Sequence, residues 1–324
     1  MDVAEAVDRG DLDELLRVVD GLCAARDWDS LARLRALCTR AHERGRQLWP
    51  AAAQAEYRLA LEAPAPFAAA VLVEGAGRFT LGPLPEVAAS THSWTDLTPH
   101  MAPGPEAVVT MHERVVRGED CREGALPGPP VLDLPRTLTS WEPSYPVAEY
   151  GSHDAQFPSP ELPTRRETTL PEHGRAERDA ATEALTELAR TWTIASDGRA
   201  EAVAVSGGPL DAVAALGPPV ARVAPIDGSA AMTLMAWAAS SGGAHGRRPG
   251  AAAGRFAAWW ALTALAGALE RWPDVDDELG SALARFEWLV WDAAEPATGW
   301  ELRLAVGDPR RDRAWAVAAV DARS

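Results

Sequence analysis

Apolar positions in the first third of the chain recur at helical spacing. Leu12, Leu15, Leu16, Val19, Leu22 and Cys23 follow the i, i+3, i+4, i+7 rule, and Asp11 stands where a side chain caps a first turn. A second stripe from about Trp28 comprises Leu31, Leu34, Leu37, Cys38 and Ala41, with His42 to Arg46 as its polar exit. Pro50 suits the first position of a helix over 50–61, and Pro64 with Phe67 and Val71 opens the next. Further starts fall near Pro83 and Pro105. Helices following one another over short connections predict an α-helical bundle or irregular helical repeat over residues 1–120, without a tetratricopeptide or ankyrin consensus.

Between Cys121 and Arg175 ten prolines interrupt the pattern and the aliphatic residues lose their period. Trp141, Tyr145, Tyr150 and Phe157 are spaced through this stretch, which is therefore expected to wrap its aromatic side chains onto neighbouring domains.

From residue 176 the character changes. A helix over 176–191 leads to the short apolar run Ala202 to Val205, which ends at Ser206, Gly207, Gly208 and Pro209. Leu210 to Leu216 reads as helix and Val220 to Ala224 as strand, and two almost wholly apolar segments follow, Ser229 to Ala239 and Gly254 to Leu269. Asp274 to Glu278 place negative charge at the start of another helix. Near the end the period shortens to two: Trp300, Leu302, Leu304 and Val306 alternate with their neighbours, as do Trp315, Val317 and Ala319. Residues 286–291 fit either a strand or a helix. The chain is thus read as α+β in two parts, a helical domain over 1–120 and, after the proline-rich segment 121–175, an α/β domain over 176–324 with a small sheet ending in an antiparallel hairpin.

Composition narrows the chemistry. The chain of 324 residues has 47 acidic against 31 basic residues, a net charge of −16, and this speaks against nucleic acid as a partner because the phosphate backbone would be repelled. It contains no Lys at all, and the absence removes the residue that a phosphate-loop NTPase, a protein kinase or a pyridoxal enzyme needs at its site. Cys23, Cys38 and Cys121 lack metal or redox spacing and read as reduced packing residues. No basic n-region precedes an apolar run at the start, so the expected compartment is the cytoplasm. The uncharged run Phe256 to Leu269 is too short to span a bilayer, for which about 20 residues are needed.

Against this acidic background, Gly228 to Leu269 holds no Asp or Glu, and its only charges are Arg247, Arg248 and Arg255. The glycine-rich loop Ser240 to Gly250 carries His245, Arg247 and Arg248 ahead of the helix that bears Arg255. Glycines let backbone amides approach an anion, a helix N-terminus is partly positive, and guanidinium forks match phosphate or carboxylate. His245, Arg247, Arg248 and Arg255 are therefore the candidate binding residues for an anionic small molecule, the alternative being a solvated loop whose arginines pair with acids elsewhere. An enzyme would require an acid, base or nucleophile facing that loop, with Asp227, Ser229, Ser241 and His245 as candidates.

Other signals are weaker. His92, His100 and His112 lack the spacing of a metal site, and His112 shares a stripe with Val108, Met111 and Val115. Gly75, Gly77 and Gly82 miss the dinucleotide fingerprint and read as a turn, and the run Gly151 to Asp154 reads as loop. Neither a metal nor a cofactor is expected. Trp259 and Trp260 are consecutive and cannot share one helix face, which leaves one of them to line the proposed anion pocket.

The runs SGGAHGRRPGAAAGRFAAWW at 241–260 and GWELRLAVGDP at 299–309 resemble a family of uncharacterised actinobacterial proteins. The resemblance implies a bacterial source and carries no activity or site residues with it. The function expected from the residues is that of a binding or adaptor protein, whose helical half contacts a protein partner and whose C-terminal half holds an anion site. The alternative is an enzyme acting on a phosphorylated or carboxylated small molecule at the arginine-glycine loop.

Overall fold

A computed structural model describes residues 3–125, 127–172, 175–295 and 299–322. The chain divides into two compact units, one made of residues 1–132 with 147–157, the other of 133–146 with 158–324. The proline-rich segment is thus shared between them, with each part belonging to one core.

The first unit is helical: α1 (Val3–Arg9), α2 (Leu12–Ala25), α3 (Trp28–Glu43), α4 (Trp49–Glu62), α5 (Ala65–Ala70), α6 (Leu84–Thr91), α7 (Trp94–Leu97) and α8 (Pro105–Val116), with a short hairpin of β1 (Glu149–Tyr150) and β2 (Ala155–Gln156). Asp11 accepts from the Glu14 amide at 3.0 Å and Asp27 from that of Ser30 at 3.1 Å, so each caps its helix by satisfying a donor that the first turn leaves open. α4 is buried along most of its length, its alanines letting α2, α3 and α6 approach. The charges buried with it are paired, as burial demands. Arg58 meets Asp20 and Glu62, each at 2.6 Å, and Glu56 accepts from Arg35 at 2.9 Å and from the Gly77 amide at 2.8 Å.

The second unit contains β3 (Arg166–Thr168), α9 (Ala180–Glu187), α10 (Arg190–Ile194), β4 (Arg199–Ser206), α11 (Pro209–Ala215), β5 (Ala221–Ile226), α12 (Gly228–Ser240), α13 (Ala251–Ala266), α14 (Asp276–Arg285), β6 (Glu287–Asp292), β7 (Gly299–Asp308) and β8 (Arg313–Ala322). The strands form one sheet in the order β3-β5-β6-β7-β8-β4, antiparallel at every pairing. Of the ambiguous residues 286–291, 287–291 are strand and Phe286 is the C-cap of α14. Pairing with β5 and β7 on both sides overrides a helical period that the sequence alone also permits. The strand-helix-strand run β4-α11-β5 is present, but the two strands do not pair; β4 closes one edge of the sheet and β5 lies next to the other. The helix expected over 176–191 is broken into α9 and α10 at Leu188 and Ala189.

Alternation assigns the faces. Val205, Ala305, Ala314 and Ala316 point to one side, where they pack with Ala212 and Val213 of α11. Trp288, Val306 and Trp315 form a cross-strand row on the other side. There the Trp315 indole donates to Asp179, the residue that caps α9, and the Trp288 indole donates to the Leu283 carbonyl of α14. Gly254 of α13 lies so near α12 that a Cβ would come within 2.3 Å of the Ala236 carbonyl oxygen, so a glycine is required for these two helices to pack. Among the described residues no helix is long and apolar enough to cross a membrane.

Candidate functional site

The sequence points first to the loop between α12 and α13, within the second unit. α12 is capped by Asp227, which accepts from the Ala230 amide at 2.7 Å. At its other end Ser241 is buried, accepts from the Trp192 indole at 2.8 Å and donates to the Ala238 carbonyl at 3.2 Å. Gly243 sits at a φ of 69° directly against Asp321, where a side chain would be strained and would clash. The buried carboxylate of Asp321 accepts from the Ala244 amide at 2.6 Å and from Ser196 at 3.0 Å. The loop does hold an anion through a backbone amide, but that anion is one of the chain's own acids.

Arg255 is likewise committed. Its side chain is inaccessible to solvent, and its Nε and Nη2 both donate to Glu142 at 2.7 Å. Its remaining hydrogen bonds run to the Pro135 carbonyl at 2.9 Å and the Thr137 carbonyl at 3.1 Å. Glu142 also accepts from the Trp259 indole and the Tyr145 hydroxyl, both at 2.9 Å, and from the Thr139 amide at 3.0 Å. Burial by itself would raise the pKa of Glu142, but the hydrogen bond and charge of Arg255, joined by the Thr139 amide and the Trp259 indole, hold it below the usual glutamate value. Burial and the neighbouring Glu142 charge push the Tyr145 hydroxyl well up, so Tyr145 stays a donor. Arg255 therefore ties residues 133–146 into the second unit and does not join the loop arginines. His245 and Arg247 are exposed, while Arg248 is partly buried with Nη1 at 3.4 Å from the Ser240 hydroxyl.

The candidate catalytic groups are not assembled. Asp227 and Ser229 lie at one end of α12 and Ser241 and His245 beyond the other, and a helix of 13 residues separates its ends by about 20 Å. His92, His100 and His112 are equally dispersed in environment: His112 is fully buried on α8, His100 exposed, and His92 intermediate, with burial lowering its pKa. Among the described residues no group of three or more His, Cys, Asp or Glu is placed to hold a metal ion.

A cleft that the sequence signals only through its consecutive tryptophans lies beside the loop. It has a volume of about 420 Å³ and is lined by Ala184 and Leu188 of α9 and its exit, Ala239 of α12, Pro249 of the loop, and Phe256 and Trp260 of α13, together with the polar Glu187, Arg190 and Thr191. A recess of about 350 Å³ adjoins it, sharing Ala184, Glu187 and Trp260 and adding Glu183, Thr186 and Leu269. The consecutive tryptophans explain the wall. Trp259 turns inward, with Arg255 at 5.6 Å from its ring, and Trp260 turns into the cleft. Trp272 braces them from behind, its ring meeting Trp260 at 5.6 Å and Phe256 at 5.8 Å in edge-on geometry. The one signal in the sequence is the Trp-Trp pair, because two consecutive residues cannot share one face of a helix.

Fold and cleft together define a two-unit α+β protein whose antiparallel sheet carries helices that enclose an apolar groove. The chain belongs to the family of unknown function DUF6183, whose model matches residues 13–323. No curated protein and no solved structure matches it.

Proposed function

We propose that this protein is a binding protein and that a small apolar molecule is held in the cleft between α9–α10 and α13. The observation that carries the reading is the cleft itself: about 420 Å³, walled by Leu188, Phe256 and Trp260, with a few polar groups among its lining. Binding sites for small molecules fall in the range of about 300–1,000 Å³ and have this mostly apolar composition. A thermal-shift screen of aromatic and aliphatic compounds tests it, since a ligand that binds only the native state raises the melting temperature. A compound that stabilises the wild type and not Trp260→Ala supports the reading; failure of every compound removes it.

The adaptor component rests on the helical unit, where Val73, Phe79 and Leu81 of the loop between α5 and α6 are all more than two-fifths exposed. Large apolar side chains exposed close together in one loop suit a protein partner. An anionic ligand at the glycine loop is the reading that His245, Arg247 and Arg248 support, and Pro249 of the same loop forms part of the cleft wall. An Arg247→Ala/Arg248→Ala variant should then lose the response to carboxylates and sugar phosphates while keeping its response to neutral apolar compounds.

A further inference from the structure

We infer that the ligand of the α9–α13 cleft is an organic cation, an apolar or aromatic body bearing an amine. The inference rests on the cleft being a ligand site and adds the chemical class of what it takes. The cleft is chemically two-ended. Pro249, Ala239, Leu188, Phe256 and Trp260 give the cleft its apolar lining, and the recess that shares Trp260 and Glu187 with it adds Glu183, one helical turn from Glu187 on α9. Trp260 belongs to both spaces, so a molecule whose body lies on Phe256 and Leu188 brings its end group to the Trp260 face and the two carboxylates. An amine there gains from the negative face of the indole, within about 6 Å of which cations are attracted, and from the carboxylates themselves.

Charge elsewhere favours the same choice. Arg190, a cation in the lining of the cleft, already meets Glu187 at 3.3 Å. Glu183 therefore supplies the recess with negative charge that the arginine does not offset. The whole chain carries a net charge of −16, which raises the local concentration of cations and lowers that of anions. A carboxylate in the recess would face Glu183 and Glu187 as like charges, and a neutral body would add no positive charge beside Glu183.

Calorimetric titration with three molecules of one shape separates the arms: tryptamine, the neutral 3-ethylindole, and indole-3-propionate. The wild type is expected to prefer tryptamine over the other two by about tenfold or more, with the preference shrinking as salt is raised. Glu183→Gln/Glu187→Gln should weaken tryptamine by about five- to tenfold, the scale of two exposed ion pairs, and leave 3-ethylindole unchanged. Trp260→Ala should abolish binding of all three, and Trp260→Phe, which keeps an aromatic face in a side chain more easily accommodated, should retain most of it. If 3-ethylindole binds as tightly as tryptamine and the double variant treats them alike, the cation inference is overturned while the cleft reading stands. If none of the three binds, or all bind Trp260→Ala as they bind the wild type, the cleft reading itself is overturned.

Discussion

Replacing Arg255 with alanine should destabilise the second unit by about 3–5 kcal/mol, the range for removing one partner from a buried ion pair. The magnitude can be built from the site. Arg255 makes two hydrogen bonds to Glu142 at 2.7 Å and two to the carbonyls of Pro135 and Thr137 at 2.9 and 3.1 Å. Charged hydrogen bonds contribute about 1.5–3 kcal/mol each, so the two to the carboxylate alone reach roughly 3–6 kcal/mol. Glu142 keeps the Trp259, Tyr145 and Thr139 donors after the substitution, and these soften the loss toward the lower end. Glu142→Gln should cost a comparable amount, because it preserves shape but strands a guanidinium in the interior. An Arg255→Met/Glu142→Leu double variant should recover much of the loss, since apolar groups of similar volume avoid the desolvation that the pair must offset. Urea unfolding followed by tryptophan fluorescence reads all of these. An Arg255→Ala variant within about 0.5 kcal/mol of the wild type, as surface substitutions are, would refute the assignment of Arg255 to the interior. A variant of that kind that also lost affinity for an anion would return Arg255 to the loop site.

Three further outcomes are expected. Trp259→Ala should lose about 3–5 kcal/mol by urea unfolding, as buried aromatics do, whereas Trp260→Ala, half-buried at the cleft, should lose distinctly less; equal losses would contradict the opposite orientations of the pair. Asp179→Ala removes a capping box in which Thr182 donates at 2.9 Å, together with the Trp315 contact at 3.0 Å, and should cost about 1–2 kcal/mol and weaken ligand binding by loosening the helix that bears Glu183 and Glu187. Glu142, Asp179 and Asp308 are pushed up by burial but held below their ordinary values overall by arginine, indole and amide donors, so their contribution is complete above the unfolded carboxylate range and is lost as pH falls through the lower folded values. Burial also lowers the pKa of His92, so stability should begin to decline as pH falls through the ordinary histidine range and decline more steeply below about pH 4; a urea midpoint that rises on acidification would contradict both signs.

How much was legible in the sequence depends on whether the deciding forces were local. Helix starts at Asp11, Pro50 and Pro105 and the alternation at Trp300 to Val306 are local, and the structure has helices and a strand at those places. The segment 286–291 was ambiguous because its apolar spacing serves two periods, and only its neighbours β5 and β7 decide. The charge asymmetry around Arg255 was visible, but its partner Glu142 lies 113 residues away in a proline-rich stretch, and nothing local marks that pairing. Asp321 has the same history, being 77 residues from the amide it accepts from. The cleft was hidden for another reason. Its lining consists of ordinary Ala, Leu, Phe and Trp from separate helices, and an apolar residue that faces a groove has the same chemistry as one that faces a core.

The most direct test of the cleft follows Trp260 by fluorine NMR in protein labelled with 5-fluorotryptophan. There are thirteen tryptophans, and the signal missing from Trp260→Phe identifies the one that matters. Adding tryptamine should shift that signal most strongly, with smaller changes at Trp272, which touches it edge-on at 5.6 Å. A saturable response elsewhere with the Trp260 signal unmoved would contradict the placement of the ligand site.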